Sequence, residues 1–127
     1  MRAAIENFRD MKVERRMAIL GDMGELGDCS WKAHQAIADL LVESGFEHVW
    51  LVGPKFKAAR HPFRTFDNVE QVKKALEIKK PKGYYILIKG SHSTRLYDLP
   101  DYFNEVCFYM KRDSVSKLNF SLYEFLI

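Results

Sequence analysis

Three short apolar runs, each closed by a glycine, set the strongest limit on how this chain can fold. Met17-Ala-Ile-Leu20 precedes Gly21, Val49-Trp-Leu-Val52 precedes Gly53, and Tyr84-Tyr-Ile-Leu-Ile88 runs through Lys89 into Gly90. Each is apolar along its whole length rather than at alternate positions, as strands buried on both faces are, and such strands belong to parallel sheets covered by helices. Helical patterns fall between the runs. Ser30 to Ser44 places Ala33, Ile37, Leu40 and Leu41 on one face, with Ser30 as the expected cap and Gly45 as the stop. A helix is expected over Met1 to about Asp10, another over Val69 to about Ile78, a short strand over Phe63 to Phe66, and a helical stretch from about Thr94. The fold class is therefore α/β: a three-layer, Rossmann-like domain with a mostly parallel sheet of about five or six strands.

A length of 127 residues holds one such core. The 20 basic and 17 acidic residues are scattered, with no block of like charge of the kind that binds nucleic acid. No apolar stretch approaches the roughly 20 residues needed to cross a bilayer, and no signal peptide opens the chain. Cys29 and Cys107 stand apart from each other and from any histidine at ligand spacing, so neither a structural zinc site nor any other metal site is expected, and a reducing cytoplasm fits. Trp31 and Trp50 read as core or half-buried packing.

Ligands of parallel sheets gather at the carboxyl ends of the strands, which directs attention to the loops Gly21 to Asp28 and Lys89 to Arg95. Glycines 21, 24 and 27 follow neither the dinucleotide nor the Walker spacing, and Asp22, Glu25 and Asp28 would repel a phosphate, so this loop reads as a structural turn. Lys89, Gly90, Ser91, His92, Ser93 and Arg95 combine cations, hydroxyls and close backbone approach; they suit a carboxylate or phosphate, or equally a plain strand end. His34, early in its helix, reads as a capping or surface histidine, or as a neighbour of the acidic loop if that loop folds back.

In combination these segments carry a resemblance. Met17-Ala-Ile-Leu-Gly-Asp-Met-Gly-Glu-Leu-Gly27, His34 in the next helix, Leu51-Val-Gly53 and Ile86-Leu-Ile-Lys-Gly-Ser-His-Ser-Thr-Arg-Leu96 resemble, in order and spacing, the C-terminal domain of the Mur ligase family of bacterial cell-wall enzymes. The likeness is to the branch that adds D-alanyl-D-alanine, and it extends over about residues 1–102. It implies a domain of an ATP-dependent, amide-bond-forming ligase. In such an enzyme ATP and Mg2+ phosphorylate the terminal carboxylate of a UDP-N-acetylmuramoyl tripeptide, and the dipeptide amine attacks the acyl phosphate. ATP would be held mainly by a central domain and the UDP sugar by an N-terminal one, so the chain alone is expected to be inactive and to hold no catalytic residue of its own.

The same resemblance implies that Lys89, Gly90 and Ser91 lie at the dipeptide end of the cleft, with His92 and Arg95 beside them, while Asp22, Met23, Glu25 and His34 shape the facing wall. His92 stands where the family usually has arginine, with a cation again at Arg95. The family's Asp-x-Tyr-Asn-Ala-Asn-Pro segment, expected ahead of the first helix, is missing, and with it the domain's first strand. Residues 1–103 are thus expected to form an N-terminally truncated ligase domain. Residues 104–127, crowded with Phe, Tyr and Leu, match nothing in the family; the alternation over 117–123 suggests a strand. The alternative is a non-catalytic module that binds a nucleotide or a dipeptide.

Overall fold

The computed structural model describes residues 1–10, 15–24, 26–46, 48–79, 85–96, 98–99, 108–109 and 123–126. In chain order the elements are α1 (Arg2–Asp10), β1 (Arg16–Gly21), α2 (Ser30–Ser44), β2 (His48–Val52), α3 (Pro54–Ala58), β3 (Arg64–Phe66), α4 (Val69–Ile78), β4 (Tyr85–Lys89), β5 (Phe108–Tyr109) and β6 (Tyr123–Leu126), with 3-10 turns at Gly27–Cys29 and His92–Thr94. One sheet contains all six strands in the order β3-β2-β1-β4-β6-β5. The first four are parallel, and β6 and β5 extend the sheet antiparallel beyond β4.

Side chains alternate across a strand, so an unbroken apolar strand feeds two cores at once. Met17 and Ile19 of β1 join Ile86 and Ile88 of β4 against Val69, Val72 and Leu76 of α4. Ala18 and Leu20 of β1 join Leu87 of β4 on the opposite face, under Ile5 and Phe8 of α1, Ile37, Leu40 and Leu41 of α2 and Phe56 of α3. The result is helix, sheet, helix, the three-layer α/β arrangement that the apolar runs imply.

Helix ends explain the local boundaries. Asn68 caps α4, its side chain accepting from the Gln71 N–H, while Gly45 ends α2 in the left-handed conformation at φ +68. Two local details differ from the sequence expectation. Ser30 is the first helical residue rather than the cap, because the 3-10 turn Gly27–Cys29 leads directly into α2 and Cys29 occupies the cap with no side-chain bond. Trp31 is 68% exposed, since the start of α2 projects past the core its later turns cover. After β4 the chain makes the 3-10 turn His92–Thr94, with the Thr94 N–H and hydroxyl both donating to the Ser91 carbonyl, and in the stretch expected to be helical from about Thr94 the residues Leu96, Asp98 and Leu99 are in 3-10 conformation. Of the strand expected over 117–123, only Tyr123 lies within the described residues, and it opens β6.

Candidate functional site: a cleft at the carboxyl ends of the parallel strands

The strand register sets the site. Gly21 pairs with Val52, Leu20 with Lys89 and Val52 with Phe66, so all four parallel strands finish at one level. Over these ends lies a cleft of about 460 Å³. The loops after β1 and β4, singled out by the strand-end rule, form two of its walls, and the β2–α3 and β3–α4 connections close the remainder.

Asp22 joins the walls. Its N–H donates to the Val52 carbonyl at 3.0 Å, and its carbonyl accepts from the Ser91 N–H at 3.2 Å. Its side chain caps α3, Oδ2 accepting the Lys55 N–H and Oδ1 the Phe56 N–H, each at 2.9 Å. Three strand ends are thereby held through one residue. Gly53 makes this possible: at φ +115 it sits so close that a Cβ there would stand 2.4 Å from the Asp22 Cγ. Opposite, Gly21 and Gly90 let β1 and β4 pinch together beneath Thr94. A Cβ on either would meet the Thr94 Oγ1 at 2.7 Å, and one on Gly90 would meet the Gly21 Cα at 3.0 Å.

His34 is completely buried, which corrects the reading of a surface or capping histidine. The loop folds back onto it. Its Nε2 accepts the Met23 N–H at 3.0 Å, so that nitrogen presents its lone pair and the proton resides on Nδ1, which donates to the Ser30 carbonyl at 2.7 Å. The Asp22 Oδ1 is 3.9 Å from Nε2, too far for a hydrogen bond, and the occupied lone pair excludes a charged pair in this arrangement. The ring also packs edge-on against Phe56, 4.8 Å between centroids.

The nine residues singled out in the sequence divide by position. Asp22, Met23, Ser91 and Arg95 line the cleft. Lys89, Gly90 and His34 are buried and do not line it. Glu25 lies outside the described residues, and of His92 only the backbone is described, in the turn His92–Thr94. Arg95 holds φ +56, a left-handed conformation worth about 1–2 kcal/mol of strain in a non-glycine residue, and its guanidinium reaches the Asp98 carboxylate at 3.3 Å.

Lys55 and Asn68, also on the cleft, escaped the sequence reading. The same strand-end rule that pointed to Gly21 and Gly90 applies to Gly53-Pro54-Lys55 after β2, so the signal for Lys55 was present. Nothing in the sequence marked Asn68 beyond its fitness as a helix cap. The Lys55 Nζ reaches the Met23 carbonyl at 3.3 Å, bridging α3 to the loop after β1.

Cations Lys55 and Arg95, acids Asp67 and Glu70, and the hydroxyls of Ser91 and Ser93 give the cleft both signs of charge, an arrangement suited to a small polar ligand bearing a carboxylate. Hydrogen bonds from Lys57 and then Gln71, followed by the Lys57 charge, hold the Asp67 carboxyl below its ordinary value of 3.8. A depressed carboxylate contributes stability that is present above the unfolded value and lost as the pH falls through the folded one. The stability difference between the wild type and Asp67→Asn is therefore expected to be small, constant at neutral pH, and to vanish in acid below that range; urea titrations at a series of pH values measure it. A difference that persists unchanged into strong acid would show that the Lys57 pair is not its origin. Among the described residues no group of three or more His, Cys, Asp or Glu is placed to hold a metal ion, and no helix is long and apolar enough to cross a membrane.

The comparisons with known proteins agree with this fold. The family model "Mur ligase, glutamate ligase domain" matches residues 1–92. The chain is 28% identical over 109 residues to a UDP-N-acetylmuramoyl-tripeptide--D-alanyl-D-alanine ligase of Rickettsia prowazekii, covering 81% of this chain and 24% of that protein. It is 29% identical over 105 residues to the ligase of the same name in Treponema pallidum, covering 76% and 23%. Two crystal structures of MurF from Acinetobacter baumannii superpose with a TM-score of 0.63 at 26% identity, over 80% of this chain and 24% of theirs. The chain thus spans about a quarter of the length of the relatives it matches. With most of its residues matched by that model and its four parallel strands superposing on a solved member, the chain belongs to the Mur ligase family.

Proposed function

We propose that this chain forms one wall of the amide-bond-forming cleft of a cytoplasmic, ATP-dependent ligase that joins D-alanyl-D-alanine to a UDP-N-acetylmuramoyl tripeptide in peptidoglycan precursor synthesis. The observation that carries this reading is the meeting of the Gly21–Asp28 and Lys89–Arg95 loops in one cleft, in a chain whose relatives bear that ligase name. ATP with Mg2+, when bound, supplies the phosphoryl group that makes an inert carboxylate able to accept an amine. The described residues of this chain form no metal cluster and carry no Gly-Lys-Thr/Ser loop, so both are assigned to the rest of the enzyme.

What remains for this domain is to hold the incoming dipeptide. Lys55 and Arg95 offer charge to its carboxylate, and Ser91 and Ser93 offer hydroxyls. Ser91 lies at the dipeptide end with Lys89 and Gly90 buried behind it, while Asp22 and Met23 set the facing wall, backed by the buried His34. Orientation is the main catalytic contribution such a wall makes, because an amine held in line with the activated carboxyl reacts without first losing its freedom of motion.

The test is phosphate release from ATP with Mg2+, the tripeptide and the dipeptide, using this chain alone and then together with the central and N-terminal domains of a relative. Activity is expected only in the mixture, dependent on every substrate, and at least about tenfold lower for Lys55→Ala, a change on the cleft wall, with its circular dichroism unchanged. Release that ignores D-alanyl-D-alanine, or that Lys55→Ala leaves intact, would overturn the assignment.

A further inference from the structure

We infer that His34 is a proton-operated latch on the cleft wall, locked when its Nε2 accepts the Met23 N–H and released when that nitrogen is protonated. The inference goes beyond the ligase reading and does not depend on which ligand fills the cleft.

The geometry leaves the ring one way to take up a proton. Nδ1 already donates to the Ser30 carbonyl at 2.7 Å, so an added proton must go to Nε2. There it would confront the Met23 N–H, now 3.0 Å away, donor against donor. An alternative acceptor among the described residues is the Asp22 Oδ1 at 3.9 Å, the same oxygen that accepts the Phe56 N–H. An imidazolium turning to that oxygen abandons the Met23 amide and draws on the bond that anchors the start of α3. Met23, Gly24 and Lys55 all line the cleft, so a single proton on a completely buried side chain changes the shape of the wall.

Among the described residues, charged groups face this junction from two elements: Asp22 from the loop after β1, and Lys55 on α3, with Nζ on the Met23 carbonyl at 3.3 Å. Helix α2 itself offers only the Ser30 carbonyl and hydroxyl. A second histidine must be told apart: His61 contacts the Phe56 carbonyl through Nε2 at 2.8 Å and accepts the Phe63 N–H at Nδ1 at 3.1 Å. It bears on the far end of α3 and does not touch Met23.

The experiment is nuclear magnetic resonance on this chain, following the ring nitrogens of His34 and His61 and the backbone amides from about pH 8 to 5, the span over which histidine usually titrates. In the wild type the Met23 and Phe56 amides are expected to shift with the His34 midpoint, and the protection of the Met23 amide from hydrogen exchange to fall on the order of tenfold. His34→Gln places a non-titrating amide oxygen near the position of Nε2, and in this variant the Met23 amide should stay still. Met23 shifts that survive in His34→Gln, or that follow the His61 midpoint, would overturn the latch. So would a His34 that stays unprotonated until the chain unfolds. If the glutamine variant does not fold, the midpoints within the wild type decide: a shared His34 and Met23 midpoint supports the latch, and separate midpoints refute it.

Discussion

Replacing Gly53 by alanine is expected to destabilise the chain by about 3 kcal/mol or more, seen as a fall in melting temperature on the order of 10 °C. Two effects combine at this position. At φ +115 the backbone is in a region that side chains rarely adopt, and the new methyl would lie 2.4 Å from the Asp22 Cγ and 2.5 Å from its Oδ2. Moving Asp22 aside cannot relieve the clash cheaply, because its carboxylate is bonded to the first amides of α3. Gly45→Ala provides the control. That glycine is also left-handed, at φ +68, but nothing lies within 4 Å of its added Cβ, so only the backbone strain of about 1 kcal/mol is expected. Equal losses at the two positions would mean that strain accounts for both and that the contact between Gly53 and Asp22 is not a constraint on the cleft.

That comparison also shows where sequence reading succeeds and where it stops. The fold was legible because its determinants are local. An unbroken apolar run such as Met17 to Leu20 has few alternatives to a doubly buried strand, and α4, with Val69, Val72 and Leu76 on one face, declares itself by period. The loops of the cleft were legible by the strand-end rule. What could not be read is which side chains in those loops point at a ligand and which at the protein. Asp22 looks in sequence like an acid free to bind something, yet both its oxygens accept main-chain N–H groups from residues more than 30 positions away. His34 shows the same limit: its burial depends on the acidic loop folding back over α2, a tertiary event that no local pattern records. Trp31 fails in the other direction, an aromatic ring that the helix start leaves in solvent.

Asp22 therefore carries the second large expectation. Asp22→Ala should destabilise the chain by about 2–4 kcal/mol, since it strands the Lys55 and Phe56 amides and empties the space beside Gly53. Asp22→Asn keeps one acceptor but turns an N–H₂ toward a donor, so an intermediate loss is expected, with faster hydrogen exchange at Lys55 and Phe56 in both variants. A loss below about 1 kcal/mol for the alanine variant would remove Asp22 from its place as the joint of the cleft. The stricter test couples the two sites. If the methyl of Gly53→Ala is harmful mainly because the Asp22 carboxylate occupies its place, removing the carboxylate first must make that methyl tolerable. The double variant should then be more stable than the sum of the single losses predicts by at least about 1 kcal/mol, a departure from additivity expected of residues in direct contact. Simple additivity would mean that the two residues act on the fold separately, and that the junction of β1, β2 and α3 is held by something other than their contact.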